Sequence, residues 1–492
     1  MTVIAKSDRP RGWPLSSATV RAVLSGHGIL GLAFAAIIYL ICLTGTLVVF
    51  VHDLQHWEQP RTPAVTAIGE APLSRAIDTA RRAAPADAAL YVTLPSANEP
   101  GATITAYSPT FDRDWSIDAV GDLTTQATPV SQFLLDLHIA LHLPRSWGGF
   151  LVGLAGVALL SSLISGILAH PRIFKDAFHL RLGGSRRLQE ADLHNRLGIW
   201  ALPFHIVIAL TGALLGLSTI IVGALAMLLY RGDTAKVYGL FVEPPPAVNA
   251  GAAPLPRIGP LLAEARRRAS GAEPHQIVIE RAGRADARVT ATSERDRLLV
   301  PQDTTIFDAG GRVVQDRHPR DLAAGTKILG GIGQLHFGWF GGLPVRLIYG
   351  LLGLALCVLT SSGVTIWLAR RRDRGRAVPQ WERLWAAVAW GQPLSLALVG
   401  ALGLAIPTAG AALVWLWLAA TIGLLAVAGV SRWIKGPVAA RWLRRGLGGV
   451  LVLLALLHLV VAPFGGTGLA IDGVLLIAGG WLLIGLRKPV AG

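Results

Sequence analysis

The 492-residue chain has few of the residues that most metal and covalent-cofactor sites use. Its only cysteines, Cys42 and Cys357, both lie inside apolar runs. That excludes a disulfide framework, a zinc-ribbon spacing and the Cys-x-x-Cys-His motif of covalently attached haem. Its only methionines are Met1 and Met227, whereas copper-binding chains usually offer several. The chain also lacks a Gly-x-Gly-x-x-Gly strand-to-helix motif, so it supplies no dinucleotide site of that kind.

Charged residues are scarce as well. They make up 15% of the chain, against 52% hydrophobic residues, and the mean hydropathy is +0.51. This is the composition of a membrane protein. The net charge of +15 does not indicate a nucleic-acid partner, because the basic residues flank the hydrophobic runs. The first run lacks a small-residue cleavage site, so we expect an anchor rather than a removed signal peptide.

Several apolar runs approach or exceed the ~20 residues that cross a bilayer as a helix. Eight spans are predicted, at about 27–51, 147–169, 197–229, 344–368, 388–408, 411–430, 446–463 and 469–486. If these spans alternate in direction, the basic segments all fall on one side, and the positive-inside rule makes that side cytoplasmic. We therefore expect a multi-pass protein with a cytoplasmic N-terminus.

Two long segments, 52–135 and 230–335, then face outward, and each is predicted to be a small α+β domain. Helical periodicity at 72–83 is followed by strand-like stretches at 91–94 and 102–106. The second segment repeats this plan, with a helix at 258–269 and strands at 276–279 and 288–292. A hairpin signal follows at 308–312.

Two stretches of the chain repeat each other at a fixed offset. His27, Leu30, Gly31, Leu43, Thr44 and Gly45 recur 167 residues later (194 minus 27) as His194, Leu197, Gly198, Leu210, Thr211 and Gly212. The match puts a histidine at the same end of two hydrophobic helices. An ionisable side chain is expensive there, so a repeated one indicates paired ligation more than packing alone.

Four of the histidines are expected to form pairs on a helix face. His138 and His142 are four residues apart and would share one face. His194 and His205 are eleven apart, close to three turns, and would share a face about 16 Å apart along one helix.

A second, approximate repeat involves the outer membrane face. Leu137-His138 and Leu335-His336 precede Ser165-Gly166 and Ser362-Gly363 at nearly equal distances, although His142 competes as the counterpart of His336. With His170 after span two, the histidines form two clusters, one on each membrane face. No Asp, Glu or Cys completes a zinc or copper site at His138-x-x-x-His142. Non-covalent b-type haem held by two imidazoles from facing helices fits best.

The motifs together resemble the PepSY-associated transmembrane helix family, also called iron-regulated membrane proteins. The resemblance covers roughly residues 20–372. It rests on five stretches: the His27 to Gly45 segment, Leu137-His138 leading into Trp147-Gly-Gly-Phe-Leu-Val-Gly, Ser165-Gly166-Ile-Leu-Ala-His170-Pro-Arg-Ile-Phe-Lys175, Leu193-His194-Asn-Arg-Leu-Gly-Ile-Trp200-Ala-Leu-Pro-Phe-His205, and Leu335-His336-Phe-Gly.

The resemblance implies a bacterial inner-membrane protein with a four-helix core that binds two b haems, and some members reduce ferric siderophores in the periplasm. Carried over, His27 and His194 would hold the cytoplasmic-side haem iron, and His138 and His336 the outer-side haem iron. Three further candidates, His142, His170 and His205, are each able to replace a member of either pair.

The expected fold is therefore a membrane all-α bundle of about eight helices with two small periplasmic α+β PepSY-like domains. Its expected parts are 1–51 (N-terminus and first span), 52–135 (first PepSY-like domain), 136–229 (spans two and three), 230–335 (second PepSY-like domain), 336–372 (fourth span) and 373–492 (four extra spans). The expected activity is electron transfer from a donor protein or membrane quinol to a periplasmic ferric siderophore. The alternative is a non-redox PepSY binding module or a siderophore transporter.

Overall fold

The computed structural model describes residues 15–59, 65–96, 101–170, 186–240, 248–294, 300, 302–322, 324–461 and 466–484. The basic segment that follows span two lies largely outside these residues. The chain divides into two compact units. The helical unit comprises Met1–Val51, Pro129–Ile221 and Arg346–Gly492, and the sheet unit comprises His52–Thr128 and Val222–Val345.

Most of the described chain is helical. In chain order the α-helices are α1 Ser17–Val48, α2 Val51–Glu58, α3 Glu70–Ala83, α4 Pro129–Ala140, α5 Arg145–Leu168, α6 Arg186–Trp200, α7 Leu202–Gly216, α8 Ser218–Tyr230, α9 Thr234–Tyr238, α10 Ile258–Arg268, α11 Ala324–Phe337, α12 Gly342–Asp373, α13 Pro379–Ala389, α14 Gly391–Ala405, α15 Gly410–Val430, α16 Gly436–Val461 and α17 Gly466–Ile484.

Seven helical segments of the described chain are long and apolar enough to cross a membrane. They are Ser17–Val48, Arg145–Leu168, Trp339–Asp373, Pro379–Ala405, Gly410–Val430, Gly436–Val461 and Gly466–Ile484. The count reaches eight if the bent pair α6–α7 is one span. The protein is therefore a multi-pass membrane protein, as its composition predicts.

The third predicted span differs from the sequence expectation. Its helix breaks between Trp200 and Leu202, where the two halves meet at an angle of 71°. Pro203 lies in the first turn of α7. A proline there has no N–H to donate and restarts a helix rather than continuing one. His194 and His205 therefore lie on two different helices, and the prediction of a shared helix face was wrong.

The sheet unit contains one antiparallel sheet of eight strands. These strands are β1 Ala89–Thr93, β2 Ala102–Ser108, β3 Phe111–Ile117, β4 Leu123–Thr125, β5 Pro274–Glu280, β6 Arg288–Glu294, β7 Gln302–Asp308 and β8 Val313–Arg317. Their spatial order is β4-β3-β2-β1-β5-β6-β7-β8. The segments 52–135 and 230–335, expected as separate domains, thus join through β1 and β5, with Leu90 opposite Ile279 and Val92 opposite Ile277.

The core of the sheet unit is built from one face of the sheet and the apolar faces of α3 and α10. Leu73 and Ile77 of α3 are buried with Leu261 of α10 against Ile277 and Phe307 of the sheet. Each such side chain stabilises the fold by about 1.5–3 kcal/mol relative to leaving it exposed. The predicted helices and strands of both segments are present, because their periods of 3.6 and 2 place these residues on one buried face.

The buried carboxylate of Asp286 holds the segment that precedes β6 by hydrogen bonds. Asp286 accepts two hydrogen bonds of 2.9 Å from the Arg284 guanidinium and one of 3.1 Å from the Asn249 backbone N–H. The hydrogen bond from Arg284 is the largest cause that lowers the pKa of Asp286 from 3.8 to about 2. Because the folded state binds this proton less tightly than the unfolded state, the charge stabilises the fold above the ordinary pKa. That contribution to stability is lost as the pH falls through the pKa that Asp286 has in the folded protein.

We expect Asp286→Asn to lower the melting temperature of the full-length protein at pH 7, because the amide keeps the shape but loses the charge. The difference from the wild type should shrink as the pH is lowered from about 4 towards 2. Asp78→Asn, at a half-exposed side chain, is the control and should have little effect. A difference that stays constant over this pH range would contradict the assignment.

Candidate functional site

His27 of α1 and His194 of α6 face each other across a cavity in the helical unit. Their ring centroids are 6.5 Å apart and their planes are inclined by 78°. The structure therefore brings together the two histidines that the repeat pairs, and both rings line one cavity.

Hydrogen bonds from the opposite helices hold both rings. His27 Nδ1 lies 3.0 Å from the Ser162 carbonyl oxygen and 3.1 Å from Ser165 Oγ. The Ser165 hydroxyl already donates to that carbonyl. His27 Nδ1 must therefore be the donor, and its Nε2 lone pair is left for a ligand.

His194 is held in the same way by the other half of the repeat. Its Nδ1 donates to the Leu359 carbonyl oxygen at 3.1 Å and to Ser362 Oγ at 2.9 Å, and that hydroxyl donates to the same carbonyl. A Cβ added at Gly166 or Gly363 would lie 3.4 Å from Cε1 of His27 or His194 respectively. A carbonyl, a hydroxyl three residues later and a following glycine thus form a docking motif for an imidazole.

His138 of α4 uses the same docking motif on α1. Its Nδ1 donates to the Ile41 carbonyl oxygen at 3.1 Å and lies 3.2 Å from Thr44 Oγ1. A Cβ on Gly45 would lie only 2.7 Å from His138 Cε1. The motif recurs on α7, where the Thr211 hydroxyl donates to the carbonyl oxygens of Val207 and Ile208.

The cavity between His27 and His194 has a volume of about 430 Å³, within the usual range of cofactor sites. Among the described residues its lining is mainly leucine, isoleucine and glycine, and the charged or titratable members besides the pair are His170 and Arg370. His170 Nδ1 is buried without a hydrogen-bond partner among the described residues. The space suits a flat, largely apolar cofactor with a polar edge.

His142 does not share a helix face with His138, contrary to the sequence prediction. The helix α4 ends at Ala140, and Leu141 and His142 both have φ of 54°. The His142 N–H donates to the Asp136 carbonyl oxygen six positions earlier, which closes the C-terminus of the helix. The His142 ring therefore leaves the helix and packs on Phe133, with centroids 4.5 Å apart.

The remaining predicted histidines have separate surroundings. His205 is fully buried in α7 and neither ring nitrogen has a hydrogen-bond partner among the described residues. It does not line the cavity between His27 and His194. His336 lies at the end of α11 in the sheet unit, edge-on to Phe337.

Comparison with known proteins identifies the family of this chain. The sequence model of the family described as the PepSY-associated TM region matches residues 24–370. The chain belongs to this family. An uncharacterized protein of Pseudomonas aeruginosa is 30% identical over 361 residues, which cover 65% of this chain and 89% of that protein. The five helices α13–α17 lie beyond the family match.

Sequence reasoning missed one buried polar pair in these added helices. His458 Nδ1 of α16 lies 2.7 Å from Asp472 Oδ2 of α17, and the two residues are 3% and 2% exposed. The two residues are only 14 positions apart in sequence, on consecutive helices. The available sequence signal was one polar residue in each of two neighbouring apolar runs, because polar side chains in membrane helices hydrogen-bond to each other.

We expect Gly45→Ala to destabilise the protein by about 1–3 kcal/mol, because the new methyl group would overlap the His138 ring. Thermal unfolding of purified protein measures the effect. Gly26→Ala is the matched control on the same helix, since no atom lies within 4 Å of its added Cβ. It should be neutral or stabilising by about 0.5–1 kcal/mol. Equal effects of the two substitutions would contradict the docking of His138 on α1.

Proposed function

We propose that this protein is a two-haem electron-transfer protein of the bacterial inner membrane that passes electrons to a periplasmic acceptor. Ferric siderophore is the proposed acceptor, because reduction to Fe(II) weakens its binding by hard oxygen ligands. The observation that carries the proposal is the facing pair His27 and His194, each with Nδ1 docked on a neighbouring helix.

The residues around the cavity fit b-type haem. No three His, Cys, Asp or Glu side chains of the described chain come together as a metal site, so the protein would supply two ligands and a porphyrin the other four. His27 and His194 would be those ligands. When bound, haem b supplies one-electron oxidation and reduction.

The protein's own groups would orient and tune this site. The Nδ1–H bonds to Ser162 and Leu359 fix the orientation of both rings and raise their basicity as ligands. The apolar cavity lining excludes water. The Arg370 guanidinium lines the same cavity and is suited to pair with the negatively charged haem propionates. His170 lines it too, and is the proposed substitute for either axial ligand.

An outer-side haem would take His138, because its docking on α1 matches that of the inner pair. The second ligand proposed for it is His336, from the sequence repeat alone. His142 and His205 remain weaker candidates, since one has turned off the helix face and the other lies beyond the break at Ala201. Electrons would come from a donor protein or a membrane quinol.

Specific features also favour the alternative, a non-redox siderophore transporter or binding module. Transporters often contain broken helices and buried intramembrane charges. The 71° break between α6 and α7 and the His458–Asp472 pair are two such features. The docked His27–His194 pair has no role in that alternative, so we rank electron transfer first.

A reduced-minus-oxidised spectrum of the purified protein should show b-type haem, and His27→Ala or His194→Ala should each remove about half of it, because each loses an axial ligand of one haem. His56→Ala, at an exposed histidine of α2, is the control and should leave the spectrum unchanged. Well-folded wild-type protein that binds no haem would contradict the proposal.

The acceptor is tested by trapping Fe(II) with a chelator after adding ferric siderophore to the reduced protein. The double variant His138→Ala/His336→Ala should bind siderophore but release much less Fe(II), since the outer-side haem would be missing. Unchanged iron release by this variant would instead favour the binding-module alternative.

A further inference from the structure

The helices beyond the family match pack on the two helices that form the His138 site. Tyr39 of α1 donates a hydrogen bond of 2.7 Å to the Ala389 carbonyl oxygen of α13. On the α4 side, a Cβ on Gly403 of α14 would lie 2.4 Å from Val130 Cγ2. The added helices therefore contact both α4, which carries His138, and α1, which holds the His138 ring.

Trp417 of α15 makes aromatic contacts with the end of α4. Its ring centroid lies 6.2 Å from that of Phe133 and 6.2 Å from that of His142. Phe133 and His142 are themselves 4.5 Å apart, so the three rings form one cluster. This cluster closes the C-terminal end of α4, one turn beyond His138.

Buried hydrogen bonds fix the orientation of the Trp417 indole. Its Nε1–H donates to Gln392 Oε1 at 3.0 Å, and Gln392 Nε2 donates to Thr421 Oγ1 at 3.1 Å. Trp417 is 8% exposed and Gln392 is 6% exposed. An amide buried among membrane helices is costly unless it is fully paired, so such a network specifies one arrangement of the rings.

The backbone next to this cluster is in an uncommon conformation. Leu141 and His142 both adopt positive φ, which is strained for a non-glycine residue and persists only where the surroundings impose it. The packing of the His142 ring against both Phe133 and Trp417 supplies that constraint. The place where α4 ends, and with it the position of His138, thus depends on a contact from outside the family region.

We propose that Trp417 and Gln392 are positioning residues for His138, and that the added helices serve to hold α4 in the geometry that an outer-side ligand needs. The inference rests on the proposed function, since His138 is there assigned to the outer-side haem. Neither residue would touch the cofactor. They would act through His142 and the end of α4.

The test uses full-length protein carrying Trp417→Leu or Gln392→Leu, with the two haems distinguished by redox titration and low-temperature electron paramagnetic resonance. We expect the signal of the His138 haem alone to change, with a shifted midpoint potential and about tenfold faster haem loss, as for other substitutions that disturb the support of a ligand. Trp415→Leu is the matched control, because Trp415 lies two residues away on the same helix and is 71% exposed.

The outcomes separate this inference from the proposed function. If His138→Ala leaves both haems in place, the ligand assignment fails and the inference fails with it. If His138→Ala removes one haem but Trp417→Leu and Gln392→Leu behave like Trp415→Leu, this inference alone is overturned. Equal changes in both haems would show general loosening and would also overturn it. Should Trp417→Leu not fold, Gln392→Leu decides, since it keeps the Trp417 side chain and removes only the acceptor of its Nε1–H.

Discussion

The helical unit depends on one recurring interaction, an imidazole Nδ1–H held by a helix carbonyl and by a hydroxyl one turn further along. Inside a bilayer an unpaired ring nitrogen is costly, so a hydrogen bond from one ring nitrogen to the protein stabilises a buried histidine. Docking Nδ1 on a neighbouring helix does this for each of three histidines. The hydroxyl is able to accept because it donates its own proton to the same carbonyl. The glycine after it lets the ring approach the helix. His27, His194 and His138 all use this motif, which makes it a property of the scaffold rather than of one residue.

Duplication explains why the motif recurs and why each unit is built from matching halves. In the helical unit, Ser162–Gly166 receives the histidine of the first half and Leu359–Gly363 that of the second. The two halves therefore hold His27 and His194 by the same arrangement of carbonyl, hydroxyl and glycine. In the sheet unit the halves join edge to edge, with Val92 opposite Ile277. Pairing β1 with β5 also removes two strand edges that would otherwise invite aggregation.

The sequence predicted features that depend on periodicity and composition, and it failed where a local backbone event intervened. The spans, the strands and the His27–His194 pairing follow from apolar periods and from a repeat that keeps its register. The expected alignment of His194 with His205 assumed one continuous helix, which Pro203 interrupts. The expected shared face of His138 and His142 assumed that α4 continues past Ala140, whereas positive φ at Leu141 ends it. Neither event changes the hydrophobic pattern, so hydrophobic periodicity does not predict either of them. The joining of the two outward segments escaped prediction because strand partners distant in sequence leave no local signal.

The added helices illustrate how position is specified inside a membrane. Lipid tails are as apolar as leucine, so burial of apolar side chains does not by itself decide which helix packs on which. Hydrogen bonds and close ring contacts have to make that choice. The Trp417–Gln392 bond and the Tyr39–Ala389 bond are interactions of this kind, and they attach the added helices to the two helices that form the His138 site. A metal ligand has to be held within about 0.5 Å of its working position by the groups around it. His138 is held directly by α1, and the end of its own helix is held by α15. Support from both directions removes the remaining freedom of α4 to slide or rotate about the ring.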